Sequence, residues 1–216
     1  MTCKDKYPML QIAIDVLSIE EALALVEKMY PFYDIAEIGT PLIIEEGMHA
    51  LEAVKKRFSD RSYLADLKIM DAGKIEAGSG FGRGADIVTV LAAADNLTIS
   101  NAVACKKDFG GQVMADLINV PNPAQRAKEL ENLGVDIVCV HTAYDVQSEI
   151  NNPLEELKIV RSAVSCKVAV AGGLKRQNIQ EVLDAGANIV IVGSAIIRHP
   201  DPASEAKAIY DIVHGG

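Results

Sequence analysis

The sequence predicts an α/β fold, a single-domain (β/α)8 TIM barrel over residues 1–216. Three observations point there. Eight short β-rich runs alternate with segments of helical period. Several of the runs are apolar almost throughout, and polar or Gly-rich residues gather at their C-terminal ends. Strict alternation implies a parallel sheet with right-handed crossovers. Parallel strands covered on both faces read as nearly unbroken apolar runs. At about 27 residues per unit the chain lies near the short end of the range for closed barrels. An open doubly wound sheet is the alternative architecture. No linker, low-complexity tract or composition shift divides the chain, which argues for one domain.

In chain order, the first four strands read as "LQIAIDV" (10–16), "DIAEIGT" (34–40), "YLADLKIM" (63–70) and "DIVTVLA" (86–92). The last four are "QVMADLI" (112–118), "DIVCVHT" (136–142), "KVAVAGG" (167–173) and "NIVIVGS" (188–194). After the first strand, Ile19, Ala22, Leu23, Leu25, Val26 and Met29 form an apolar helical stripe. Ser18, with Glu21 three residues on, is the signature of a capping box. Asn152-Pro153 with Glu155 marks a second helix start and Asp201-Pro202 a third. Gly186 is placed to end the helix before the last strand.

Composition excludes some classes of function. The formal net charge is −9, and a single-sign acidic field repels nucleic acid and anionic membranes. A small phosphate can still bind locally. Cys3, Cys105, Cys139 and Cys166 form no CxxC pair and no zinc spacing, and Cys139 reads as a small core residue. No disulfide framework is indicated, in keeping with a reducing compartment. The opening "MTCKDKYPML" has no apolar core of a signal peptide. No run approaches the ~20 apolar residues of a membrane helix. A cytoplasmic protein is expected.

In such barrels the chemistry lies at the C-terminal ends of the strands. Those ends carry Asp15, Glu37, Asp66 with Lys68, Asp116, His141, Gly172-Gly173 and Gly193-Ser194, and only the fourth run is bland. Asp66 and Lys68 are two apart, so their side chains leave the same strand face. They are either a structural ion pair or part of a site. Asp71 has the opposite parity and falls in the following loop, within reach of a neighbouring subunit. Glu37 and Asp66 suit Mg2+, which takes one or two carboxylates plus water and substrate oxygens. Pairing with Lys68 or capping a helix is the alternative for each. Asp15 belongs to the same charge network. His141 can move protons near neutral pH, or be structural. His49, His199 and His214 receive no role. The glycines after the seventh and eighth strands let backbone amides approach a phosphate. Arg198 adds charge that the sequence does not place.

"DLKIMDAG" resembles the Asp-x-Lys-x-x-Asp signature of the orotidine 5′-monophosphate decarboxylase superfamily. The resemblance extends through "IAIDV", "EIGTPLIIEEG", "ADLKIMDAG", "VHTAYDVQ", "AVAGGL" and "VIVGSAI", nearly the whole chain. Within the superfamily, the chain is most similar to the branch that joins formaldehyde to D-ribulose 5-phosphate. That Mg2+-dependent aldol condensation gives D-arabino-hex-3-ulose 6-phosphate, in the ribulose monophosphate route of formaldehyde fixation. The resemblance implies a homodimeric barrel with active sites at the subunit interface. It implies Glu37 and Asp66 as Mg2+ ligands and Lys68 as positive charge beside an enediolate, fixed by Asp71 of the second subunit. His141 would be the base at C1, and Asp116 would position a hydroxyl or relay protons. Gly172, Gly173, Gly193 and Ser194 would hold the phosphate.

The rival branch decarboxylates 3-keto-L-gulonate 6-phosphate. It typically has His-x-x-Arg where this chain has Tyr144, Glu where it has Asp116, and Arg where it has Ser194. Orotidine decarboxylation fits less well, because its metal-free charge array leaves Glu37 unexplained. Lys68 as a Schiff-base nucleophile is a third chemistry. A barrel that binds sugar phosphates without catalysis is the non-enzymatic alternative.

Overall fold

A computed structural model describes residues 8–146 and 153–216. Cys3, Gln147 and Asn152 lie outside the described residues, and with Asn152 the first half of the predicted 152–153 helix start. The strands are β1 (Met9–Ile14), β2 (Ile35–Ile38), β3 (Ser62–Ile69), β4 (Ile87–Leu91), β5 (Gln112–Asp116), β6 (Ile137–His141), β7 (Lys167–Ala171) and β8 (Ile189–Val192). Each pairs in parallel with the next, and β8 pairs with β1, so the sheet closes. The predicted single-domain (β/α)8 barrel is what forms.

Between the strands lie α1 (Ile19–Met29), α2 (Thr40–Glu46), α3 (His49–Arg57), α4 (Gly73–Gly82), α5 (Asn96–Ala104) and α6 (Lys106–Phe109). They are followed by α7 (Pro123–Asn132), α8 (Leu154–Ala163), α9 (Arg176–Asp184), α10 (Ser194–Ile197) and α11 (Pro202–His214). The Ser18 hydroxyl caps α1 by accepting from Glu21 N at 3.3 Å. Asp201 caps α11 through Ser204 N at 3.1 Å. Gly186 follows α9 with φ +95°. The connections after β2 and β4, and the segment after β8, hold two helices instead of one. After β2, for example, Gly47 at φ +62° ends α2 before α3 begins.

Strand alternation separates two apolar cores. Leu10, Ile12 and Ile14 of β1 face the helices, in the large core that surrounds the barrel. Met9 and Ala13 face inward and join Ile35, Leu64, Ile87, Met114, Ile137, Ala169 and Ile189 in the barrel's interior. The interior is therefore packed below and leaves its polar residues to the upper end.

A repeated device closes the lower end. Asp34, Asp86, Asp136 and Asn188 each precede an even-numbered strand. Their side chains accept from the backbone N of Leu10, Tyr63, Val113 and Val168 at 2.8–3.0 Å. Their own N–H groups donate back to the carbonyls of those same four residues. A helix donor completes each grip: His214, Lys55, Lys106 and Arg161 respectively. Asp34→Ala would leave the buried Leu10 N–H without an acceptor. Urea unfolding should show a loss of about 1–3 kcal/mol, and the far end of the barrel should keep its chemistry.

Candidate active site

The polar strand ends converge on one cavity of about 510 Å³ at the C-terminal mouth of the barrel. Asp15, Glu37, Asp66, Lys68, Asp116, His141, Gly172, Gly173, Gly193 and Ser194 all line it. Asp71 does not. It is exposed beyond the end of β3, with its Oδ1 accepting from Ala72 N.

The Asp66–Lys68 juxtaposition depends on an irregularity in β3. The β3–β4 register shifts between Ala65 and Ile69, and Lys68 has φ +46°. A non-glycine residue in that region costs on the order of 1–3 kcal/mol and persists only where its surroundings hold it. Here Thr89 of β4 is the holder. Its hydroxyl accepts from Lys68 N at 2.9 Å and donates to Asp66 Oδ1 at 2.8 Å. The fourth strand, bland in the sequence reading, thus supplies the residue that shapes the third. Thr40 lies with its Oγ 2.8 Å from Asp66 Oδ2, adding a second hydroxyl to that carboxylate.

A continuous polar chain results. Lys68 Nζ is 2.5 Å from Asp66 Oδ2 and 3.9 Å from Asp116 Oδ2. Asp116 Oδ2 is 2.8 Å from His141 Nδ1, while its Oδ1 accepts from Ile118 N at 2.9 Å. With Nδ1 donating to Asp116, the neutral imidazole keeps its lone pair on Nε2. Burial alone would draw the Lys68 ammonium down. The charge and hydrogen bond of Asp66, with Asp116 and Glu37, outweigh it and hold the pKa above its ordinary value. A lysine so charged is a poor Schiff-base nucleophile.

Glu37 is buried, and its Oε2 accepts from Gln11 Nε2 at 2.5 Å. Burial, then the charges of Asp66 and Asp15, push its pKa up to about 8. Burial and Asp66 likewise raise Asp15, which sits at the mouth against Gly39. A Cβ on Gly39 would stand 2.1 Å from Asp15 Oδ1, so the "EIGT" glycine makes room for that carboxylate. Gly172, at φ +97°, is needed for the same kind of reason. A Cβ there would meet Thr142 O at 2.3 Å.

Among the described residues no three His, Cys, Asp or Glu side chains are grouped to hold a metal. The donor set instead fits a hard divalent cation taken by two carboxylates. Glu37, Asp66 and Asp15 crowd one another's charge around a single ammonium, and Gln11 Oε1 is buried with no partner. Oxygen donors and surplus negative charge are what Mg2+ sites use, with water or substrate in the remaining positions.

The raised Glu37 value carries a pH signature. A carboxyl whose folded pKa exceeds its unfolded one stabilises the fold while protonated. That contribution is fully present below the unfolded value of about 4.5 and is lost as pH rises through about 8. In metal-free protein, the melting-temperature difference between the wild type and Glu37→Gln should therefore shift against the wild type between pH 6 and 8.5. Thermal melts in EDTA measure it.

Sequence reasoning missed Gln11, Thr40 and Thr89, and left Arg198 unplaced. All four line the cavity. Gln11 carried a signal, being an amide in the middle of an apolar strand. Thr89 carried none, since threonine is an ordinary strand residue.

Residues 8–209 match the family model described as Orotidine 5′-phosphate decarboxylase / HUMPS family. The chain is 42% identical over 208 residues to a 3-hexulose-6-phosphate synthase of Bacillus subtilis (strain 168), covering 96% of this chain and 99% of that one. It is similar to the crystal structure of 3-hexulose-6-phosphate synthase from Salmonella typhimurium. The TM-score is 0.93 at 38% identity, covering 96% and 99% of the two chains. A 3-keto-L-gulonate-6-phosphate decarboxylase from Vibrio cholerae O1 shares the fold at a TM-score of 0.86. Its identity is 24%, with 97% and 99% covered.

Proposed function

The chain belongs to the orotidine 5′-phosphate decarboxylase / HUMPS family, and from that premise we propose the activity of its synthase relatives. It is read as an aldehyde-lyase that condenses formaldehyde with D-ribulose 5-phosphate to give D-arabino-hex-3-ulose 6-phosphate. One catalytic barrel over residues 1–216 performs the reaction. The observation that carries this reading is the Asp66–Lys68–Asp116–His141 chain in a single cavity.

His141 Nε2 removes a proton from C1 of ribulose 5-phosphate while Asp116 holds Nδ1. A positioned base of this kind is worth about 10²–10⁴-fold. The Lys68 ammonium, kept charged by Asp66, faces the negative charge that develops on the substrate oxygens. Glu37 and Asp66 would hold Mg2+. When bound, the cation supplies Lewis-acid neutralisation of that charge. The C1 carbon then bonds to the formaldehyde carbon. The aldehyde oxygen takes the proton from His141, which returns the base to its starting state. Gly172, Gly173, Gly193 and Ser194 border the end assigned to the phosphate.

A homodimer with shared sites accords with the surface near Asp71. Exposed Ile44, Met70, Ile75 and Leu97 lie on α2, beyond β3, and on α4 and α5, neighbouring elements around the barrel. In the shared-site arrangement these cover one another, and Asp71 of the second subunit reaches Lys68. The proposal places the protein in a reducing compartment, acting on small molecules. No helix among the described residues is long and apolar enough to cross a membrane.

The decisive comparison is with the decarboxylase branch. Purified protein should consume ribulose 5-phosphate with formaldehyde and release no CO2 from 3-keto-L-gulonate 6-phosphate. CO2 release without formaldehyde-dependent consumption would transfer the assignment to that branch.

A further inference from the structure

We propose that Arg198 and Tyr144 form a clasp that captures the substrate's phosphate, with Tyr144 as the positioning residue. The inference rests on the functional reading above for the identity of the sugar phosphate, but its anion chemistry stands on geometry.

Ser194 begins α10, the four-residue helix after β8, and Arg198 follows one turn later. Arg198 N still donates to Ser194 O at 3.1 Å, so the helical register continues to it. Side chains on a helix point back towards its N-terminus. The long Arg198 side chain lines the same cavity as Ser194 and Gly193.

Tyr144 comes from the other flank of β7, in the short 3-10 turn Tyr144–Val146 after β6. Arg198 Nη1 donates to the Tyr144 hydroxyl at 3.0 Å, and the guanidinium stands 5.7 Å from the ring centroid. The pair spans from the β6 loop to the β8 helix. Both residues are exposed, Tyr144 at 60%. An exposed aromatic that hydrogen-bonds and stacks on a cation holds the guanidinium plane in place.

The charge balance indicates what the clasp awaits. The other two basic side chains of the cavity, Lys68 and His141, face carboxylates. Arg198 acts on Asp15 only at a distance, and among the described residues no carboxylate lies within 4 Å of its guanidinium. Guanidinium has five N–H donors in a fork that matches phosphate oxygens. The contact with Tyr144 uses one of them, which leaves a pair for a bidentate anion. A phosphate monoester on the open end of the sugar fits this site, and an unphosphorylated sugar does not.

The test pairs calorimetry with kinetics on the full-length protein. Inorganic phosphate is titrated into the wild type, Arg198→Met, Arg198→Lys and Tyr144→Phe. The KM for ribulose 5-phosphate is measured for the same set at saturating formaldehyde. Arg198→Met should weaken phosphate binding and raise this KM by roughly 10- to 100-fold, with kcat changed less than about twofold. Arg198→Lys should recover only part of the loss, because a point charge lacks the fork. Tyr144→Phe should raise KM several-fold on the wild-type background and have no effect on the Arg198→Met background. Phosphate affinity and KM unchanged in Arg198→Met would overturn the clasp, as would a Tyr144→Phe effect that persists without Arg198. A wild type that binds phosphate through Arg198 but does not turn over ribulose 5-phosphate would sink the functional reading and leave the clasp standing.

Discussion

Replacing Lys68 with methionine should lower kcat/KM by about 10²–10³-fold, the usual cost of removing one donor aimed at developing charge. The substitution keeps an unbranched side chain, one atom shorter, and removes the ammonium. Asp66 retains the hydroxyls of Thr40 and Thr89, and Asp116 retains His141 and Ile118 N. Neither carboxylate is stranded, so the variant should fold and circular dichroism should match the wild type. Steady-state kinetics then reports chemistry, not unfolding. Borohydride with ribulose 5-phosphate should leave Lys68 of the wild type unlabelled. Covalent labelling there would replace the electrostatic role with a Schiff base.

His141→Gln should abolish exchange of the C1 proton of ribulose 5-phosphate with D2O, followed by NMR without formaldehyde. The expected loss in kcat is about 10²–10⁴-fold. Asp116→Asn should be comparably damaging for a different reason. An amide placed 2.8 Å from Nδ1 can donate to it, moving the ring proton to Nε2 and occupying the lone pair that accepts from C1. Because the two residues act as a unit, the double variant should be little worse than either single one. Exchange that survives His141→Gln would give the base role to another residue, with Asp15 the next carboxylate at the mouth.

The fold was legible because every strand but the fourth announces itself twice. Its apolar run needs two covered faces, and its C-terminal end carries a polar or Gly-rich feature. The charged strand-end residues of the cavity were readable for the same reason, since a charge at the end of an apolar strand requires a partner. Supporting contacts were less visible. Thr89 acts through a β3 irregularity that turns Lys68 to φ +46°, and no local pattern in "ADLKIM" marks the shift. Arg198 reaches the site through the reach of its side chain along α10, which a strand-end reading does not count. The lower grips were visible and went unread. Asp34-Ile35, Asp86-Ile87, Asp136-Ile137 and Asn188-Ile189 repeat an Asp/Asn-Ile step before every second strand. Only the hydrogen bonds give that repeat its meaning. Asp71 belongs to neither group, because its proposed partner lies in a second subunit.

Formaldehyde and Mg2+ together define the central claim, so the most direct measurement varies both. Ribulose 5-phosphate would be followed in four reactions, with and without formaldehyde, each in Mg2+ and in EDTA. The proposed chemistry predicts consumption only where formaldehyde and Mg2+ are both present, with a hexulose 6-phosphate accumulating in step. Equal consumption in EDTA would contradict the role given to Glu37 and Asp66. No consumption by folded protein in any of the four would contradict the proposed reaction itself.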